Sequence, residues 1–244
     1  MKIKTKSLFI ALYLCIAAGL SSANQYKARL GLGLNGGTGY KNYCADVSVD
    51  GNAFINPFEN HINFNITGGL RFTENQFDIT AAADINFFNF KFIDFAVSQI
   101  LHTGTLLGVS TEIDSLIGGR ILIHTAPWMD LKIASHFQTK IQKIDAFKDT
   151  CPVIADISPA YEITAYFNLP QENFIRLRIS NWEDYWFPIF PSPNFYLGYG
   201  HTFRKLFTIE FDAFVRYSDF FTLTAYPDFL GCKLFMRYNF ETGK

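Results

Sequence analysis

From residue 26 onward, apolar and polar side chains alternate with a period of two. In residues 26–36, Tyr26, Ala28, Leu30, Leu32 and Leu34 fall on one face, and Lys27, Arg29, Gly31, Gly33 and Asn35 on the other. A strand sends successive side chains to opposite faces, so this spacing writes one apolar and one polar surface. Residues 61–72 repeat it, with Ile62, Phe64, Ile66, Leu70 and Phe72 against Asn63, Asn65, Thr67 and Arg71. It returns in residues 77–87, 129–142 and 207–217, and no helical period of comparable quality is found.

Turn signals cut the pattern into strands at about 26–35, 61–72, 77–87, 90–101, 106–114, 117–125, 129–142, 155–168, 174–182, 195–204, 207–217 and 229–240. Short polar connections are expected at 73–76, 102–105, 126–127, 170–172 and 204–205, and less distinct returns near 88–89 and 115–116. Longer loops are expected at 36–60, 143–154, 183–193 and 218–228. Within the first of these, Tyr43, Ala45, Val47 and Val49 leave room for a further strand pair, so ten or fourteen strands are alternatives to about twelve. The lengths suit a tilted strand crossing a bilayer, which needs about 9–11 residues. The fold class expected is all-β: a closed, antiparallel, up-and-down transmembrane barrel.

Residues 1–23 read as a cleavable export signal. Lys2, Lys4 and Lys6 precede the apolar run Leu8–Leu20, and Ser21-Ser22-Ala23 supplies the small-x-small cleavage pattern. That leaves residues 24–244 as one domain. Composition fits this picture: 49% hydrophobic, 17% aromatic with 27 Phe, and 18% charged, against roughly 25% charged in a soluble domain. A net charge of −1 excludes a strongly basic nucleic-acid footprint.

A soluble barrel alternates too, but with its apolar face inward. The polar face here carries Asn, Thr, Gly and isolated charges, and aromatics such as Tyr26, Trp128, Phe167, Phe203, Phe207 and Tyr217 flank the strands as interfacial girdles do. Leu230, Cys232, Leu234, Met236, Tyr238 and Phe240 alternate and end on an aromatic. This last strand resembles the C-terminal signature of bacterial outer-membrane β-barrels. In size and strand count the chain is similar to compact twelve-stranded porins, and its Phe-rich style to small spirochaetal barrels. The resemblance implies an outer-membrane location, lipid as the surrounding partner and contact with the barrel-insertion machinery during biogenesis.

The expected function is a narrow porin-like channel for small polar or anionic solutes. Strand parity points Arg29, Arg71, Arg120, Arg176, Arg178 and Arg237 into the lumen, together with Lys91, Lys132, Arg204 and Lys233, and a basic lining favours anions. Inward acids include Asp78, Asp84, Asp114, Asp130, Glu162, Glu210 and Asp212. The alternative is that these charges pair across strands, Glu210 or Asp212 with Lys233 or Arg237 and Asp78 with Arg71, and rivet the wall. A second alternative is an adhesin or structural barrel, carried by loop 36–60 and the aromatic stretch Trp182–Pro188. An outer-membrane enzyme is not expected, because the five His are joined by no nucleophile or metal motif. No cofactor or metal is expected. After cleavage Cys44, Cys151 and Cys232 remain; Cys44 and Cys151 both fall in long loops and form the candidate disulfide, while Cys232 falls on the apolar face.

Overall fold

The computed structural model describes residues 26–39, 42–58, 62–73, 76–106, 110–144, 154–182, 192–218 and 226–242. They form twelve strands: β1 Tyr26–Gly39, β2 Asn42–Phe58, β3 Ile62–Thr73, β4 Gln76–Phe90, β5 Ile93–Leu106, β6 Ser110–Ala126, β7 Met129–Ile144, β8 Ile154–Leu169, β9 Asn173–Ser180, β10 Asn194–Phe203, β11 Phe207–Ser218 and β12 Tyr226–Thr242. Each pairs antiparallel with its sequence neighbours, and β1 also pairs with β12, Tyr26 opposite Thr242 and Gly39 opposite Phe229. The sheet is thereby a closed barrel. Closure leaves no edge strand, so the backbone groups of every strand have a ladder on both sides.

The strand count agrees with the sequence, but through two errors that cancel. The expected loop 36–60 contains β2, paired along β1 from Tyr26–Ile55 to Gly39–Asn42. Asp50-Gly51-Asn52, for all its turn-forming composition, lies in the ladder opposite Gly31, Leu30 and Arg29. Conversely, the expected return at 115–116 lies inside β6, with Ser115 opposite Leu101 and Leu116 opposite Ile100. The expected turn 102–105 likewise lies inside β5, where Thr103, Gly104 and Thr105 pair with Ile113, Glu112 and Thr111. The turn before β5 is at Lys91-Phe92.

Connections at 91–92, 127–128, 170–172 and 204–206 share one end of the barrel with Tyr26 and Thr242. The connections 145–153, 183–191 and 219–225 leave from the other end. Inserting β2 also moves 74–75 to that second end, so short and long connections separate only over the second half of the chain. Arg204 and Lys205 hold positive φ angles of 49° and 60° in the β10–β11 turn, as do Gln171 and Glu172 (61° and 60°) in the β8–β9 turn. Arg204 and Lys91 are therefore exposed turn residues rather than lining residues.

The distribution of side chains is inverted relative to a soluble protein. Ile157 is 74% exposed, Phe137 65%, and Ile117 and Leu197 58% each, all pointing outward. Asp114 is fully buried inside, and Glu162, Asp84, Asp212, Glu210 and Arg178 are buried with it. Along β11 the alternation is explicit: Thr208, Glu210, Asp212 and Phe214 are buried, whereas Phe211 and Ala213 are exposed. The apolar-inward arrangement of a soluble barrel is thus excluded by the structure.

Candidate functional site: a polar, ion-paired lumen

The inner wall is built from the polar half of each alternating strand. Among the described side chains, the expected Arg residues stand beside carboxylates. Arg120 on β6 reaches Asp84 on β4 at 3.1 Å and the Asn86 amide oxygen at 3.2 Å. Arg176 on β9 pairs with Asp212 on β11 and lies 3.7 Å from Glu210. Arg237 on β12 donates to Glu210, one of the pairs anticipated from sequence. Arg178 on β9 lies 3.8 Å from Glu162, donates to the Trp182 carbonyl at 2.9 Å and sits 4.9 Å from the Tyr196 ring centre. Glu162, 1% exposed, also takes Lys132 at 2.9 Å and the Thr164 hydroxyl at 2.6 Å.

Lys233 is buried with its ammonium 5.4 Å from the Tyr196 and Phe214 ring centres, a cation–π arrangement. Arg29 and Arg71 are placed by backbone register alone: Arg29 lies opposite Asn239 and Asn52, and Arg71 opposite Asp78 and Ser48. The lumen side chains so described form a girdle of alternating charge. Such pairs in a partly hydrated interior hold strands together more than they present open charge to a solute.

Below the girdle, at the end shared by the termini, the lumen widens into a vestibule of about 660 Å³. Its lining is balanced in charge, with Arg176, Arg237 and Lys205 against Asp130, Glu172 and Glu210. Tyr166, Phe174, Thr202, Thr208 and Asn239 complete much of the wall. Gly200 lies between Phe174 and Glu210 in register, and the Phe174 ring occupies the space a Cβ at Gly200 would need. At the vestibule rim His124 joins three strands, with Nδ1 2.8 Å from Asp130 and Nε2 3.1 Å from Asp94.

Above the vestibule, side chains packed against the wall of β4 to β8 project into the lumen. Trp182, 4% exposed, packs with Ala82, Ile100, Leu116 and Ala160 from the inner faces of β4, β5, β6 and β8. Its ring centre is 5.0 Å from that of His136. This corrects the expectation of a surface aromatic loop at its first residue; residues 183–188 lie outside the described residues. A small cavity of about 20 Å³ remains beside Trp182, lined also by Asp84, Ser98, Arg120, Lys132 and His136.

His136 Nε2 shares a hydrogen bond with the Ser98 hydroxyl. A serine–histidine pair invites a catalytic reading, but His136 Nδ1 has no hydrogen-bond partner, so the orienting carboxylate of a triad is missing. No cluster of three metal-ligating side chains occurs among the described residues. Cys44 lies on β2 opposite Gly37, in the wall rather than in a loop. Cys151 lies outside the described residues, as do residues 1–23, where the export signal is expected. Cys232 is a free, exposed thiol on the outer face.

No family model matches the sequence, and no curated protein matches it either. Solved structures match it in fold. The KdgM porin in complex with disordered oligogalacturonate is 6% identical, with a TM-score of 0.57 over 87% of this chain and 99% of that one. An outer membrane channel from Pseudomonas putida F1 is 9% identical, with a TM-score of 0.53 over 90% and 96%. Outer membrane phospholipase A from Escherichia coli is 4% identical, with a TM-score of 0.53 over 86% and 89%. The chain therefore shares its fold with these outer-membrane β-barrels.

Proposed function

We propose that this chain spans the bacterial outer membrane as a narrow channel for small polar solutes, with at most a weak preference for anions. The observation that carries the reading is the inverted wall: apolar side chains outside, and inside a polar lumen opening into a charged vestibule of about 660 Å³. Exposed apolar surface of this extent needs an apolar partner, and a closed antiparallel barrel is one of the two structures whose backbone is satisfied in lipid. Similarity to a porin and to an outer membrane channel supports the same reading. In it, residues 1–23 direct export, the last strand engages the insertion machinery, and outer-membrane lipid is the permanent partner.

The charge pairing tempers the anion expectation. Arg120, Arg176, Arg178 and Arg237 are each within 4 Å of a carboxylate, and the vestibule carries equal numbers of named acids and bases. The adhesin alternative is weakened from the other side, because much of loop 36–60 is wall and Trp182 is inside. Recording purified protein in planar bilayers under a salt gradient tests the function. Small discrete conductance steps with a reversal potential near zero are expected. Silence in the wild type and in every lumen variant would remove the channel reading and leave a structural barrel.

A further inference from the structure

We propose that Trp182 sets the size limit of this lumen, and that with His136 it forms a contact site for small, neutral, hydrogen-bonding solutes such as polyols. The inference rests on the channel reading and names the element of that channel that selects. β9 is only eight residues long and ends at Ser180, whereas its partner β8 has sixteen. After Ser180 the chain leaves the ladder. Asn181 still holds β8, its side-chain oxygen accepting from the Tyr161 amide at 2.7 Å and its side-chain nitrogen donating to the Pro159 carbonyl at 2.9 Å, and Trp182 turns into the barrel. There its carbonyl is fixed by Arg178 at 2.9 Å and by the Ser180 hydroxyl at 2.7 Å.

The wall is shaped to receive the indole. Ala82 and Ala160 leave space, and Ile100 and Leu116 place aliphatic surface on an otherwise polar face. An apolar side chain pointing into a hydrated lumen is unfavourable unless something covers it, and Trp182 does so. The indole thus projects from the end of β9 into the lumen on the far side of the vestibule, with a cavity of about 20 Å³ beside it.

Two buried polar atoms at this point have no hydrogen-bond partner: Trp182 Nε1 and His136 Nδ1. Buried polar groups are nearly always satisfied, and the rare exceptions gather where something else supplies the bond. The indole nitrogen only donates, and the imidazole donates or accepts according to its tautomer. A hydroxyl matches both. The neighbouring charges are engaged with each other, Arg120 with Asp84 and Lys132 with Glu162, which favours a neutral solute over an ion at this level.

The test uses full-length wild-type protein, W182A and the milder W182L, folding of each checked by heat-modifiable migration. Single-channel conductance is recorded, and proteoliposome swelling is followed with glycerol, erythritol and larger polyols. Conductance should rise several-fold in W182A and by less in W182L, and the polyol size limit should rise with it. A silent wild type with a conducting W182A would support the proposal equally. Wild-type conductance and size limit in either folded variant would overturn it. Silence in all three proteins would overturn the channel reading itself, and the proposal with it. In W182F, which keeps a ring but loses the N–H, polyol uptake should slow while ion conductance stays near wild type; unchanged uptake would overturn the contact site.

Discussion

His136 on β7 bonds Ser98 on β5 across the whole width of β6, over the bare backbone of Gly118. Gly118 stands in register with both residues, and a Cβ there would strike the Ser135 carbonyl and the His136 ring. The arrangement recurs. Gly198 on β10 separates Arg176 from Asp212 in register, and Ala96 on β5 separates Arg120 from Asn86. A small residue on the middle strand lets long polar side chains meet two strands apart. The girdle of the lumen is therefore built from glycine and alanine as much as from charge.

Gly118→Val should lose about 1–3 kcal/mol, the ordinary range for overpacking a filled interior. The side chain would drive His136 away from Ser98. Urea unfolding of detergent-solubilised protein measures it; an unchanged midpoint would mean that the ring has other room.

Glu162→Gln should be the most costly charge substitution in the wall. Glu162 is held by Lys132 at 2.9 Å, Arg178 at 3.8 Å and the Thr164 hydroxyl at 2.6 Å. Neutralising it removes a buried carboxylate shared by two inward cations, a loss of about 3–5 kcal/mol by analogy with broken buried pairs. Glu172→Gln, in the exposed β8–β9 turn, should stay within about 0.5 kcal/mol. Comparable losses in both would contradict the ion-paired girdle.

Leu197→Arg distinguishes a lipid-facing wall from a water-facing one. Leu197 is 58% exposed and lies in register with Leu177 and Ala213 on the outer face. Facing the middle of a bilayer, an arginine there costs about 2–4 kcal/mol; in water it would cost almost nothing. Folding in phospholipid vesicles, followed against denaturant, reads the difference.

Cys232 offers a covalent reporter of the same surface. It is exposed on β12 opposite Ala213 and Gly36. In proteoliposomes an apolar maleimide should modify it, and a sulfonated maleimide should not. Rapid reaction with the charged reagent would place this face in water. Mass spectrometry of the modified peptide identifies the site.

The alternation that runs from Tyr26 to Phe240 is a local property, and it was enough to determine the fold class. A strand's two faces are set by residue parity, so Leu197 and Phe211 could be assigned outward, and Glu210 and Asp212 inward, without knowing their neighbours. Arg120, Arg176, Arg178 and Arg237 were legible as lumen residues for the same reason. Turn chemistry was a poorer guide. Asp50-Gly51-Asn52 and His102-Thr103-Gly104-Thr105 have turn composition but are held extended by ladders on both sides.

Only closure of the barrel decided what the lumen contains. Ser115-Leu116 looks like a break between strands because a polar residue points out and an aliphatic one points in. That inversion makes sense once Trp182, far along the chain, folds over Leu116 and Ile100. Pairing across a glycine, and an indole covering an inward leucine, join residues that no short window contains. Parity fixed which way each side chain points, while the three-dimensional structure alone determined what it meets there.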